Sequence, residues 1–392
     1  MLSQDSEQMP PTAPSDTPRR HAGNAPYRLL DAWRGFAALW VVMLHVSLVG
    51  IPAPIYAFSQ FGLLGVPMFF VISGYCIASA AVRSLNAPQP VAHFLRARVR
   101  RIYPPYILAS LVAAGLSAAL SLLIRRHVLP SSQLADLDIF HQPLRFYVAA
   151  LTLTQVPLHT PFLIRVFWSL CYEAAFYAVV AALLLAALRI NQTPRLLDAL
   201  GVVTLGALLW LNLRGEACPF PWNLWPQFGF GVLVYQGLAQ PERRWPRVLF
   251  LLCAALLIVF AARHEYRGVL DPQLLTVRTG FSLAFAVVLL ALFRWDGVLT
   301  ACRPLRLFSS VGLFSYSLYL IHLLALGVVT QGLQRMAVLA AHPLPLYLVK
   351  IAVCLLIGWL FFHVCERPFL NTRQRQARRE TPPVATGGTG AT

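Results

Sequence analysis

Charge is what this chain has least of. Acidic and basic side chains together make up 12% of its 392 residues, against about 25% in ordinary soluble domains. Only 15 residues are acidic, and Lys350 is the single lysine among 32 basic residues. Cysteine occurs seven times but never in paired spacing, so neither a disulfide framework nor a zinc site is supported. Soft, buried core residues are the better reading of these thiols. No cleavable signal peptide is apparent, because the first apolar stretch is interrupted by Arg34. Nor is there a long polar segment between apolar ones in which a second domain could fold.

What is present is apolar. Hydrophobic residues make up 58% of the chain, and the mean hydropathy is +0.63. That composition describes a polytopic membrane protein. Stretches long enough to cross a bilayer run near 29–50, 61–82, 103–124, 167–189, 197–213, 222–240, 246–263, 275–293, 308–331 and 345–365. The fold class expected is therefore all-α, a bundle of about ten transmembrane helices in one domain over 27–370. A further stretch, 146–158, is short and broken by Pro157 and Pro161. It reads as a re-entrant or interfacial segment. Residues 1–26 are polar and Pro-rich, and 371–392 are Arg-rich and then Thr- and Gly-rich. Both read as disordered tails.

The net charge of +17 comes from arginines placed mostly in short loops. With the N-terminus inside, inner loops and tails hold 21 Arg and outer loops nine. That bias orients both termini to the cytoplasm. It accounts for the basic balance without nucleic acid, which is not expected as a partner.

Ionisable residues inside the spans carry the functional signal, because burying them in lipid is expensive. His45 follows Arg34 by eleven residues, about 16 Å along a helix and within about 20° of the same face. Asp31, one turn before Arg34, is a plausible local partner. Glu173 falls about one turn into the outer half of the fourth span, and His322 in the middle or outer half of the ninth. From topology, His45, Glu173 and His322 are expected to converge at similar depth.

Five segments stand out in order: Asp31-Ala-Trp-Arg34 through His45; Gly65-Val-Pro-Met-Phe-Phe-Val-Ile-Ser73-Gly74-Tyr75; Arg96-Ala-Arg98-Val-Arg100-Arg101-Ile-Tyr103-Pro104-Pro-Tyr106; Trp168-Ser169-Leu-Cys-Tyr-Glu173-Ala-Ala-Phe176-Tyr177; and Phe314-Ser315-Tyr316-Ser317-Leu-Tyr319-Leu-Ile-His322. Together, over roughly residues 28–370, they resemble the acyltransferase 3 family of integral membrane acyltransferases. The resemblance implies transfer of an acyl group, often acetyl, from cytoplasmic acyl-CoA to a hydroxyl. The acceptors it implies are cell-envelope saccharides, glycolipids or similar molecules, and the expected location is a bacterial inner membrane. No metal is expected. The family usually has an acidic residue where Pro67 stands, so no catalytic role is assigned there, and Pro67 is expected to kink the second span.

Acyl transfer to a hydroxyl needs a base for the proton and donors for the developing oxyanion. His45 is assigned as general base or transient acyl acceptor, with Glu173 and His322 as further catalytic candidates. The alternative for each is a structural, hydrogen-bonded or ion-paired residue. Arg34, Arg98 and Arg101 are candidates for the phosphates of coenzyme A, since guanidinium forks grip phosphate bidentately; the family pattern raises Arg98 and Arg101 above Arg96 and Arg100. Arg34 can instead hold an acidic partner or snorkel to the headgroups. Ser73, Tyr177, Tyr316 and Tyr319 are candidates for the substrate surface. Tyr103-Pro104-Pro105-Tyr106 is expected to start the third span, with proline tolerated in its first turn, and Glu366-Arg367-Pro368 to close the last with an ion pair. The competing class is a transporter or flippase, since the same residue types build proton relays. The second half shows no repeat of the His45 or Glu173 motif to support it. Oligomeric state is unreadable.

Overall fold

Nearly every apolar run in the sequence becomes helix, and no strand occurs among the described residues. The computed structural model describes residues 27–46, 50–126, 142–263, 275–333 and 342–370, so both tails lie outside them. In chain order α1 is Leu29–Val46, α2 Ala53–Gln60, α3 Gly65–Ser84, α4 Pro90–Arg125 and α5 Leu144–Thr152. Then follow α6 (Trp168–Arg189), α7 (Leu196–Arg214), α8 (Trp225–Ala239), α9 (Trp245–Arg263) and α10 (Leu275–Leu292). The last four are α11 (Asp296–Ala301), α12 (Arg303–Leu313), α13 (Ser315–Leu333) and α14 (Pro343–Phe361).

Among the described residues, eight helices are long and apolar enough to cross a membrane, or nine if a pair bent by 72° counts as one span. The sequence suggested ten, and two elements explain the difference. The first is α8. Pro219 and Pro221 hold the preceding residues in turns, so only 15 residues are helical, about 23 Å against a hydrocarbon core of about 30 Å. Every residue from Trp225 to Gln236 is buried, as expected of a helix that is apolar all round and enclosed by others. The second is the expected span over 308–331, which breaks at Phe314. There α12 turns aside, with Arg303, Arg306 and Leu307 exposed, and α13 starts afresh at Ser315.

Close helix contacts explain where the small residues went. A Cβ at Gly35 would overlap the carbonyl oxygen of Phe308, and one at Gly312 that of Asp31, so α1 and α12 touch backbone to backbone. Gly74 and Gly231 do the same for α3 and α8, against the carbonyls of Phe228 and Val71. Small residues at such crossings let dispersion and backbone contacts accumulate where no hydrophobic effect drives association. Pro67 falls in the first turn of α3, where no hydrogen-bond donor is missed. A 3-10 turn over Phe61–Leu64 precedes it, and from Gly65 α3 runs unbroken to Ser84.

The third span also departs from expectation. Helix α4 begins at Pro90, 13 residues before Tyr103, and carries Pro104 and Pro105 in its interior. Those prolines remove two helical N–H donors, and the Tyr316 hydroxyl donates to the neighbouring Ile102 carbonyl at 3.0 Å. The arginines of this motif therefore stand on a helix rather than in a loop. Arg98 and Arg101, three apart, share one face and are partly buried, whereas Arg96 and Arg100 are exposed.

The remaining short elements behave simply. The broken stretch after α4 forms the nine-residue α5, anchored where Tyr106 donates to the Ala150 carbonyl at 2.8 Å. Helix α14 widens into a π-helical turn at Phe362–Glu366, where buried Glu366 accepts a 2.6 Å hydrogen bond from Ser317. All seven cysteines are free thiols.

Candidate functional site

Helices α1, α3, α4, α6 and α13 enclose a cavity of about 630 Å³ including its open mouth. Six of the residues singled out from the sequence line it: Arg34, Ser73, Arg101, Glu173, Tyr316 and Tyr319. They come from five different helices and from positions 34 to 319, so only packing brings them together.

Arg34 is held from two sides. Its Nη1 lies 2.8 Å from Asp31 Oδ1, one turn earlier on α1, and its Nη2 donates to Cys76 Sγ at 2.9 Å. The guanidinium is thereby fixed across α3 instead of reaching for headgroups. Glu173 Oε1 accepts from the Tyr177 hydroxyl at 2.6 Å and from Ser73 Oγ at 3.4 Å. A carboxylate that accepts short hydrogen bonds from hydroxyls is oriented as well as partly compensated. Arg98 does not line the cavity, but its charge acts on Glu173, Tyr177 and Arg101. Its Nε is buried without a hydrogen-bond partner among the described residues. An unmade hydrogen bond on a buried cation is costly.

The histidines form a second cluster. The imidazoles of His45 and His322 lie 5.2 Å apart, centroid to centroid. His322 Nδ1 faces two backbone carbonyls, Tyr319 at 2.9 Å and Leu318 at 3.2 Å. Carbonyls only accept, so Nδ1 carries the hydrogen, and in the neutral ring Nε2 keeps the lone pair. That Nε2 is buried and has no partner among the described residues, which leaves it able to accept a proton.

Tyr319 links the two clusters. It lines the cavity, its ring centroid is 6.0 Å from that of His322, and its hydroxyl is 2.8 Å from Ser169 Oγ. The α6–α13 pairing also corrects the expected depth of Glu173. Ser169 meets Tyr319, and the charge of Glu173, one turn further along α6, acts on Tyr316, one turn earlier on α13, as well as on Tyr319. The two helices run antiparallel, so Glu173 and His322 diverge from that crossing. The two histidines do converge as expected. Glu173 belongs instead with Arg34, Arg98 and Arg101, and Tyr177 lies buried beneath it.

Two contributors escaped sequence reading. Cys76 is three residues, one turn, beyond Ser73 on α3, and that spacing was a usable signal. Arg165, in the short turn before α6, acts electrostatically on His45. In sequence it is one loop arginine among many and carries no signal.

The chain is 35% identical over 88 residues to "Protein 2 in picA locus" of Rhizobium radiobacter, a match covering 22% of this chain and 44% of that protein. The chain thus matches less than half the length of that curated relative. No solved structure matches it. Residues 27–363, nearly all of the described fold, match the family described as an acyltransferase domain. With its apolar helices and this match across the whole bundle, the chain belongs to the acyltransferase 3 family of membrane acyltransferases.

Proposed function

We propose that this protein is an O-acyltransferase of a bacterial inner membrane, with both termini cytoplasmic, that moves an acyl group from cytoplasmic acyl-CoA to a hydroxyl of a cell-envelope saccharide or glycolipid. Acetyl is the acyl group proposed. The observation that carries this reading is the division of the site: Arg34, Arg98 and Arg101 lie on the Glu173 side, and His322, its Nε2 buried and unpartnered among the described residues, stands beyond Tyr319 at the other end.

The arginine end suits the donor. Coenzyme A brings a pyrophosphate and a 3′-phosphate, and Arg98 and Arg101 offer guanidinium forks on one face of α4. Arg34, already fixed by Asp31 and Cys76, reaches into the same cavity and can steady the thioester oxygen as charge develops on it. The histidine end suits proton removal. His45 or His322 takes the acceptor's hydroxyl proton as the oxygen attacks the thioester carbonyl carbon. The carbon–sulfur bond breaks, the ester forms, and the coenzyme A thiolate leaves to be protonated. Glu173 is assigned to orienting the groups around it through Ser73 and Tyr177.

The test is release of coenzyme A from acetyl-CoA by purified wild-type and His45→Ala protein, supplied with mixed cell-envelope glycans and lipids. Release by wild type alone is the expected result. Full release by a normally folded His45→Ala protein would overturn the mechanism. An absence of both release and acetyl-CoA binding in wild type would overturn the donor assignment.

A further inference from the structure

Helix α12 carries two stripes side by side. Arg303, Arg306 and Ser310 recur at i, i+3 and i+7 along one face, and Leu307 and Val311 form an apolar strip next to them. Both arginines are exposed, and so is Leu307, at 71%. The axis of α12 turns 72° from that of α13, so beside a spanning helix it runs close to the membrane plane. By the orientation proposed above, α13 starts at the inner face, which puts α12 among the inner headgroups. A short helix that is charged on one side and apolar on the next suits that interface.

The segment just before α12 has the same character. The Arg294 guanidinium lies 3.8 Å over the Trp295 ring, and Trp295 and Val298 are exposed. Tryptophan is enriched where a membrane meets water. The one carboxylate of this segment, Asp296, is already engaged: it accepts hydrogen bonds from the backbone N–H of Leu29 at 2.7 Å and of Arg28 at 3.1 Å. Arg294, Arg303 and Arg306 have no ion pair among the described residues, so three positive charges stand uncompensated beside exposed apolar side chains. Water would suit the arginines but not Leu307 and Val298. An acidic phospholipid suits both, because its phosphate fits guanidinium forks and its chains cover apolar side chains. Its net negative charge complements the three cations.

The same segment grips α1. Asp296 closes the N-terminal end of α1, Gly312 lies against the Asp31 carbonyl, and Gly35 lies against that of Phe308. The Phe36 ring meets Phe308 edge-on at 5.7 Å. Arg34, which lines the cavity, sits inside this grip, so a shift of α12 would carry the turn of α1 that presents it. We propose that α11 and α12 form a docking surface for acidic phospholipid headgroups, and that bound headgroups hold the Arg34 turn of α1 in place. The effect on turnover rests on the acyltransferase reading above, whereas the lipid binding stands apart from it.

The experiment compares full-length wild type with two double variants. Arg303→Gln with Arg306→Gln alters α12; Arg244→Gln with Arg247→Gln removes two exposed arginines at the start of α9 instead. Each protein is titrated in detergent with phosphatidylglycerol, phosphatidylcholine or soluble glycerol phosphate while its melting temperature is followed. Coenzyme A release from acetyl-CoA, with mixed cell-envelope glycans and lipids as acceptors, is then measured in phosphatidylcholine vesicles with and without phosphatidylglycerol. Without lipid, all three proteins should melt alike, which reports correct folding. Phosphatidylglycerol should stabilise wild type and the α9 variant equally, and the α12 variant should need about tenfold more lipid for the same shift. It should also speed release severalfold in the first two and not in the third, with the KM for acetyl-CoA unchanged throughout. Equal lipid responses in the two variants would overturn the proposal, as would equal stabilisation by phosphatidylcholine or glycerol phosphate. A KM for acetyl-CoA raised in the α12 variant in both membranes would overturn it too, by assigning these arginines to the donor. Release indifferent to phosphatidylglycerol, where stabilisation depends on α12, would overturn the hold on Arg34. If stabilisation depends on α12 and no protein releases coenzyme A, the docking surface stands and the transfer reading falls.

Discussion

His45 on α1 and His322 on α13 bring their imidazoles to 5.2 Å across the bundle, although 277 positions separate them in the chain. The tautomer of one is set by the backbone of its own helix, through the carbonyls of Leu318 and Tyr319. A base that keeps its lone pair on a buried, unpartnered nitrogen needs no proton shuffle before it acts. His45→Ala is expected to lower acyl transfer about 10²–10⁴-fold, the usual contribution of a positioned general base. His322→Ala should produce a loss of similar order if the two work as a unit. Rates of coenzyme A release, compared with elution profiles on size exclusion, check both.

Helical register separates the four arginines of α4. Arg98→Ala and Arg101→Ala are each expected to raise the KM for acetyl-CoA about 10–100-fold, the equivalent of one lost charge-assisted hydrogen bond of about 1.5–3 kcal/mol. Arg96→Ala and Arg100→Ala, on the exposed face, should change it less than about twofold. Equal effects at all four positions would point to a diffuse electrostatic field in place of a defined phosphate site. Initial-rate kinetics against acetyl-CoA tell the cases apart.

At Arg34 the charge and the anchoring can be parted. Arg34→Ala should abolish transfer, because it removes the cation from the cavity. Asp31→Asn should leave most activity in place and cost no more than about 1 kcal/mol, since Asp31 is 38% exposed and such pairs are screened. Thermal unfolding alongside turnover checks this pair of expectations.

The crossing of α3 with α8 sets a stability limit. A Cβ at Gly74 would meet the Phe228 carbonyl, and backbone cannot yield as a flexible side chain does. Gly74→Ala is expected to cost about 1–3 kcal/mol by overpacking and to displace Phe70 through its stack on Phe228. Gly115→Ala and Gly206→Ala, where nothing lies within 4 Å of the added carbon, should be neutral. Apparent melting temperatures in detergent distinguish them.

Much of this protein was legible in its residues, and the reasons are physical. Apolar runs of about 20 residues announce membrane helices because lipid leaves a backbone few other ways to satisfy itself. The i, i+3 spacing of Asp31 and Arg34 announced their ion pair. Ser73-Gly74, two small residues inside an apolar span, fall where α3 and α8 approach backbone to backbone. Six of the ten residues named as candidates line one cavity, and the two histidines meet beside it. The errors came where neighbours decide. The run over 222–240 is apolar enough to span, but its helix is 15 residues long and enclosed by other helices. Pro104-Pro105 reads as a helix start, yet α4 runs through it.

What the sequence determined by itself is the set of helices, their amphipathic faces, and which ionisable groups are placed expensively enough to require a purpose. Those properties are local, since hydropathy and 3.6-residue periodicity depend on near neighbours alone. Which of those groups face one another was decided only by tertiary structure. Glu173 sits with the arginines and not with the histidines because α6 meets α13 at Ser169 and Tyr319, one turn short of the carboxylate. A helix crossing is chosen by side-chain packing and backbone approach between distant segments. No single segment of the chain contains that information.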